Sequence, residues 1–242
     1  MAALACILHD QHKEVTGSDI EKYIFTQEGL EERNIPFTSF DEKNIHDGDT
    51  VIIGLAFDQS NVEVQAAFNN PNVKCYYYNE YLGVLLEDYT SVCVAGCHGK
   101  STTTGLLSSV LQKHEETAFL IGDGHGFMPE DAKNFVLESC EFQRHFLAYH
   151  PDYAIITNIE LDHIDYYKDI NDYVSAYQSF VDQVKKKVVV YGDDPYLPHL
   201  HYKVPYVTYG YKEGNDYIAK NIRQWSRRSI LTGCIGYVCS SL

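Results

Sequence analysis

The chain has 242 residues, with 34 Asp and Glu against 19 Lys and Arg, a formal net charge of −15. A hydrophobic fraction of 45% with 13% aromatics suffices for a packed core and excludes wholesale disorder, while the acidity argues against gripping nucleic acid through the general field. No apolar run approaches the roughly 20 residues of a bilayer span, and no basic-then-apolar secretory pattern opens the chain, so the expectation is a soluble cytoplasmic protein without membrane insertion.

Taken in chain order, Met1 to Gln11 carry Leu4, Ile7 and Leu8 at helical spacing, followed by a short extended Glu14–Gly17. Ser18 is placed to cap a helix running through Glu31 and Arg33, with Asp19 and Glu21 in its first turn, where the helix dipole favours negative charge. Strands are expected at Thr50–Ile53 and Val73–Tyr76, and helices around Val62–Phe68 and Tyr81–Leu86. From Tyr89 onward a second unit begins with the buried-strand run Ser91–Ala95 and a helix from Thr102 to Leu111. Phe135–Leu137, Tyr153–Ile156 and Val188–Tyr191 are further strands, and Ile170–Val184 is a helix. Alternating strands and helices predict an α/β fold with parallel, doubly wound pairing. The 20 tyrosines are assigned only generically, to core edges and surface.

Seven scattered cysteines with no CxxC pair fit neither a disulfide framework nor a zinc site, and are read as reduced thiols. After Asp216 acidic residues cease while Lys220, Arg223, Arg227 and Arg228 accumulate, so residues 223–242 read as an aberrant basic tail.

The strongest chemical motif is Gly96-Cys97-His98-Gly99-Lys100-Ser101-Thr102, set between a strand and a helix. Glycines let a backbone turn tightly enough for its N–H groups to face phosphate oxygens, and the helix start adds positive potential. Lys100 would reach the outer phosphates, and the hydroxyl of Ser101 or Thr102 would meet Mg²⁺. Val94 stands where the usual phosphate-loop pattern has its first glycine, leaving a shortened Gly-x-x-Gly-Lys-Ser form. Downstream, Glu138 closes one strand, and Asn158, Glu160, Asp162 and His163 follow another. The carboxyl edge of a parallel sheet is where ligands bind. An oxygen-rich set there suits Mg²⁺, with a histidine as occasional partner.

These pieces, in this order, resemble the Mur ligase family. The resemblance is carried by His9-Asp10 through Gly17-Ser18-Asp19, by Ala95 to Leu107, by Leu120-Ile121-Gly122-Asp123-Gly124, by Glu138 to Phe146, and by Pro151 to His163. It implies a truncated Rossmann-like UDP-binding domain over residues 1–88, then a partial P-loop mononucleotide-binding α/β domain over 89–222. It implies ATP and Mg²⁺ as cofactors, with UDP-N-acetylmuramate and L-alanine as substrates joined through an acyl phosphate. Under it, Lys100 and His163 are catalytic, and Ser101, Glu138 and His163 hold metal. Ser18 and Asp19 lie near the uridine, Gly122, Asp123 and Gly124 near the muramyl group, and Asn158 also contacts substrate.

The same resemblance places a first strand and its Gly-x-Gly loop ahead of Met1, and a third, amino-acid-binding domain beyond Ile222. Neither has a counterpart in this sequence, and Cys97 replaces a usual threonine. The expectation is therefore a chain of ligase descent that does not complete catalysis unaided. The alternatives are a non-catalytic Mg-ATP-binding module and a degenerate fragment.

Overall fold

The structure is a computed structural model, and it describes residues 1–20 and 27–221. The expected basic tail and part of the helix after Ser18 lie outside the described residues.

In the first region, α1 (Ala2–Asp10) buries Ala3, Leu4, Ile7 and Leu8, a single face at helical spacing. Two short strands, β1 (Gly17–Ser18) and β2 (Phe37–Thr38), pair in parallel, with α2 (Glu28–Glu32) between them in the chain. A second parallel pair joins β3 (Thr50–Ile53) to β4 (Lys74–Tyr77). It is connected by α3 (Val62–Asn69), whose start is capped by the Asn61 side chain, which accepts from the amides of Glu63 and Val64. The two pairs are separate sheets. They are tied through Glu63, whose carboxylate is largely buried and accepts from Ser18 Oγ at 2.7 Å, the Asp41 amide at 3.1 Å and Asn44 Nδ2 at 2.6 Å. Ser18 therefore sits in a strand with its hydroxyl committed to α3, where the sequence placed it as a helix cap. The helix α4 (Tyr78–Leu86) starts directly from β4, three residues earlier than expected, on a capping box with Glu80.

The second region is one eight-stranded sheet. Its strands are β5 (Thr90–Ala95), β6 (Thr117–Leu120), β7 (Gly126–Phe127), β8 (Asn134–Glu138), β9 (Tyr153–Ile156), β10 (Lys187–Tyr191), β11 (Tyr206–Gly210) and β12 (Tyr217–Ile218). They lie in the order β12-β11-β10-β9-β5-β8-β6-β7, parallel except for β7. Cys93, Val94, Ala95, Phe135, Val136, Leu137, Ala154, Ile156, Val188 and Val190 have at most 0% exposure, as expected of parallel strands covered on both faces. One cover is α5 (Lys100–Leu111), which begins two residues before the expected start, and another is α6 (Ile170–Val181), three residues shorter at its end than expected. On α6, Tyr173, Ala176, Tyr177 and Phe180 form the buried face. Tyr167, Tyr173 and Tyr177 are thus core residues, in edge-to-face contact at 4.6 and 5.3 Å, rather than residues of the core edge.

The sequence reading missed the short β2, β7 and β12 as well as β6 and β11. The last two are four- or five-residue runs without alternation, which only pairing to β8 and β10 identifies as strands. Residues of α1 and α4 belong to the same apolar cluster as β5, β8 and β9, so the first region rests on the second through its helices.

Candidate functional site

The central strand β5 pairs in parallel with β8 on one side and β9 on the other, register Val94↔Glu138 and Ala95↔Ile156. Three carboxyl ends therefore meet on one edge, bringing together the loop after β5, the last residue of β8 and the residues after β9. This juxtaposition, expected from the sequence, is what makes a site.

The loop is fixed by close fit. Gly96 has φ 132°, and a Cβ there would lie 2.0 Å from Thr157 Oγ1; Gly99 has φ 81° at the start of α5. Thr157 Oγ1 donates to the His98 carbonyl at 2.7 Å. The Asn158 side-chain oxygen accepts from the amides of Cys97 and His98, each at 3.0 Å. Asn158, expected at the substrate, is thus engaged in holding the loop. The first-turn amides of α5, residues 100–102, are the kind a helix leaves without intrahelical partners, and with the dipole they favour an anion.

Two carboxylates face this helix start. Ser101 Oγ donates to Glu138 Oε1 at 2.9 Å, and the Gly122 amide donates to Glu138 Oε2 at 2.7 Å. A Cβ on Gly122 would press on that carboxyl group at 3.1 Å, so this glycine makes room for Glu138. Octahedral Mg²⁺, with ligands at about 2.1 Å, sets neighbouring oxygens about 3 Å apart, so the Ser101–Glu138 pair fits a hard cation. Lys100 Nζ turns instead to the Gly96 carbonyl at 2.6 Å and to Glu141 Oε1 at 3.1 Å. Glu141 is 1% exposed, and Tyr167 donates its hydroxyl to the Glu141 carbonyl. His163, in a left-handed conformation with φ 53°, brings Nε2 to 3.6 Å from Glu141 Oε1 and its ring to 4.7 Å from that of Phe142.

The expected metal set thus falls into two groups, Ser101 with Glu138 and His163 with Glu141. Among the described residues no cluster of three His, Cys, Asp or Glu side chains stands ready to hold a metal. Glu141 is the member that sequence reading missed. Its only signal is a second acid three positions after Glu138, and burial at that position was not legible.

Other expected residues are placed as follows. The Cys97 sulfur accepts from the Glu160 amide at 3.1 Å and meets the Tyr173 hydroxyl at 3.0 Å; burial pushes its thiol pKa up. Asp123 accepts from the His125 amide at 3.0 Å, and Gly124 turns with φ 97°. The side-chain oxygen of Asp19 takes the Ile20 amide at 2.8 Å. Beyond Asn158 a cavity of about 480 Å³ is lined by Glu160, Tyr191, Asp193, Asp194 and Tyr196.

Comparison with known proteins places this geometry. The profile of the Mur ligase family catalytic domain matches residues 1–90, and that of the Mur ligase middle domain matches residues 94–235. Among solved structures, the UDP-N-acetylmuramate:L-alanyl-γ-D-glutamyl-meso-diaminopimelate ligase of Neisseria meningitides superposes with a TM-score of 0.78 at 24% identity, over 89% of this chain and 75% of that one. The UDP-N-acetylmuramate–alanine ligase MurC of Thermotoga maritima gives 0.75 at 25% identity, over 91% of this chain and 52% of that one. The MurF ligase of Thermotoga maritima, solved in complex with ADP, gives 0.55 at 19% identity, over 77% and 53%. The chain thus spans about half the length of the latter two. With the two domain profiles together covering nearly the whole sequence, the chain belongs to the Mur ligase family.

Proposed function

We propose that the loop Gly96–Thr102 binds Mg-ATP and that the site serves the ATP-dependent joining of L-alanine to UDP-N-acetylmuramate in peptidoglycan precursor synthesis. The observation that carries this reading is the meeting of the loop after β5 with the Ser101–Glu138 pair at 2.9 Å on one sheet edge.

In that reaction the muramyl carboxylate takes the γ-phosphoryl group of ATP with ADP leaving, the alanine amine attacks the acyl phosphate carbon, and inorganic phosphate and a proton from the amine are released as the amide forms. This chain's residues answer the crowding of negative charge that every step creates. The first-turn amides of α5 hold the phosphate chain. Lys100 follows the transferring group as a mobile positive charge. Ser101 and Glu138 would hold Mg²⁺, which supplies charge neutralisation between phosphate oxygens. His163, set against Glu141 and Phe142, is proposed to help hold a metal ion. Ser18, Asp19 and Gly122–Gly124 are proposed at the UDP and muramyl end.

Two measurements test the reading. Equilibrium titration with a fluorescent ATP analogue should show binding that Lys100→Ala weakens by about tenfold or more, the scale of one lost charge-assisted hydrogen bond. Equal binding in both proteins would sink the phosphate-loop assignment. Phosphate release that requires ATP, UDP-N-acetylmuramate and L-alanine together would establish the ligase. Binding without release would assign this chain the role of a non-catalytic Mg-ATP module.

A further inference from the structure

Glu141 has a role in no step above, yet it is the most buried charged group at the site, at 1% exposure. Both its oxygens face one ammonium, Lys100 Nζ standing 3.1 Å from Oε1 and 3.0 Å from Oε2. Only the first contact has hydrogen-bond geometry, and Oε2 is buried without a hydrogen-bond partner. His163 Nε2, at 3.6 Å from Oε1, is the other side-chain nitrogen nearby. A buried carboxylate with half its acceptor capacity unused is costly, so its hold on Lys100 is strong. The backbone around it is closely determined. The Glu141 carbonyl accepts from the Tyr167 hydroxyl and from the Arg144 amide, and Gln143 and Arg144 turn the chain through left-handed conformations with φ 49° and 60°. The carboxylate is therefore in no position to follow the lysine outward.

We propose that Glu141 is a positioning residue that parks Lys100. It draws the ammonium back onto the loop's own carbonyls, Gly96 at 2.6 Å and Cys97 at 3.4 Å, so that an incoming polyphosphate has to pull the lysine off a buried carboxylate. Glu141 thereby weakens binding of any ligand lacking enough negative charge to displace it, and sets a threshold for occupancy. The consequence for nucleotide rests on the reading of Gly96–Thr102 as a phosphate loop; the parked lysine does not.

The test is Glu141→Gln in the full chain, with two readouts. The first needs no nucleotide. It is the rate at which a small amine-acylating reagent modifies Lys100, followed by peptide mass spectrometry against the exposed Lys113 as internal reference. The expected result is acylation about tenfold faster, on the scale of one charge-assisted hydrogen bond. The second is affinity for inorganic tripolyphosphate, expected to tighten by about the same factor, with the gain lost in a Lys100→Ala background because Glu141 acts through Lys100. Unchanged acylation of Lys100 overturns the proposal. So does a gain in affinity that persists without Lys100, which would mark plain charge repulsion. Faster acylation with no tripolyphosphate binding in either protein would keep the parked lysine and sink the phosphate-loop reading instead. Should the Gln variant not fold, Glu141→Asp, which withdraws the charge by one methylene, serves the same two readouts.

Discussion

The two regions of this molecule use the same parallel βα grammar with different results. In the central sheet, β5 and β8 are flanked by strands on both sides and covered on both faces, with Cys93, Val94, Phe135 and Leu137 at 0% exposure. In the first region the strands form two separate pairs, and neither residue of β2 is buried. Two-stranded sheets are marginal by themselves. What holds the first region is its helices: Leu4, Ile7 and Leu8 of α1 and Leu82, Leu85 and Leu86 of α4 enter the core of the second. The lesson is that strand pairing builds the platform for the loop after β5, whereas helix docking attaches the first region to it.

The comparison is most sharply tested in the strands. Phe135→Ala should cost about 3–5 kcal/mol, because its ring is wholly buried in β8 against Tyr89. Val51→Ala in β3, only partly buried, should cost about 1 kcal/mol or less. Chemical denaturation of both variants checks this; equal losses would mean the first region is as tightly cored as the second. A smaller effect is expected at the junction. A Cβ on Gly83 of α4 would stand 2.3 Å from the Ala148 carbonyl, in the turn that follows Glu141. Gly83→Ala should cost about 1–3 kcal/mol, and hydrogen exchange should show the loss in α1 and α4 before the central strands. Uniform loss of protection would contradict attachment by helices.

The smallest effect concerns Asp10, which binds Arg33 through both carboxylate oxygens, at 2.9 and 3.0 Å, and so links α1 to α2. Burial alone would push this carboxyl up. Hydrogen bonds from Arg33 and His9 outweigh it, and the net position is below the usual 3.8. A depressed carboxyl contributes stability that is complete above 3.8 and lost as pH falls through its folded-state value. Asp10→Asn should therefore cost about 1 kcal/mol at neutral pH and progressively less as the pH falls below the usual 3.8, read from denaturation midpoints along an acid series. A difference that does not shrink in acid would show that the pair contributes through packing.

Much of the site was legible because its parts are local. The run Ser91–Thr102 declares a buried strand, a glycine turn and a hydroxyl-bearing helix start without reference to the rest of the chain, and Glu138 and Asn158 follow apolar runs that read as strands. What was not legible shares one cause. The resemblance implies that Asn158 contacts substrate; only the return of β9 beside β5 shows that its side-chain oxygen also accepts from the Cys97 and His98 amides. Glu141 carries no sequence signal of its burial; the fold leaves it 1% exposed and pairs it with Lys100. The tyrosines of α6 lie at helical spacing, yet which face turns inward depends on the sheet beneath.

By itself the sequence determined the α/β alternation, the glycine turn between β5 and α5 and the Mur ligase resemblance, since strand runs, glycine turns and helix starts are set by neighbouring residues. Tertiary structure decided the pairings across long separations: Ser101 with Glu138, 37 residues apart, and Cys97 with Asn158, 61 apart. It also decided which carboxylate faces Mg²⁺-sized oxygen spacing and which is buried against a lysine. The physical reason is that local propensity sets the shape of a segment. The electrostatic character of a side chain depends on how much water its distant neighbours remove.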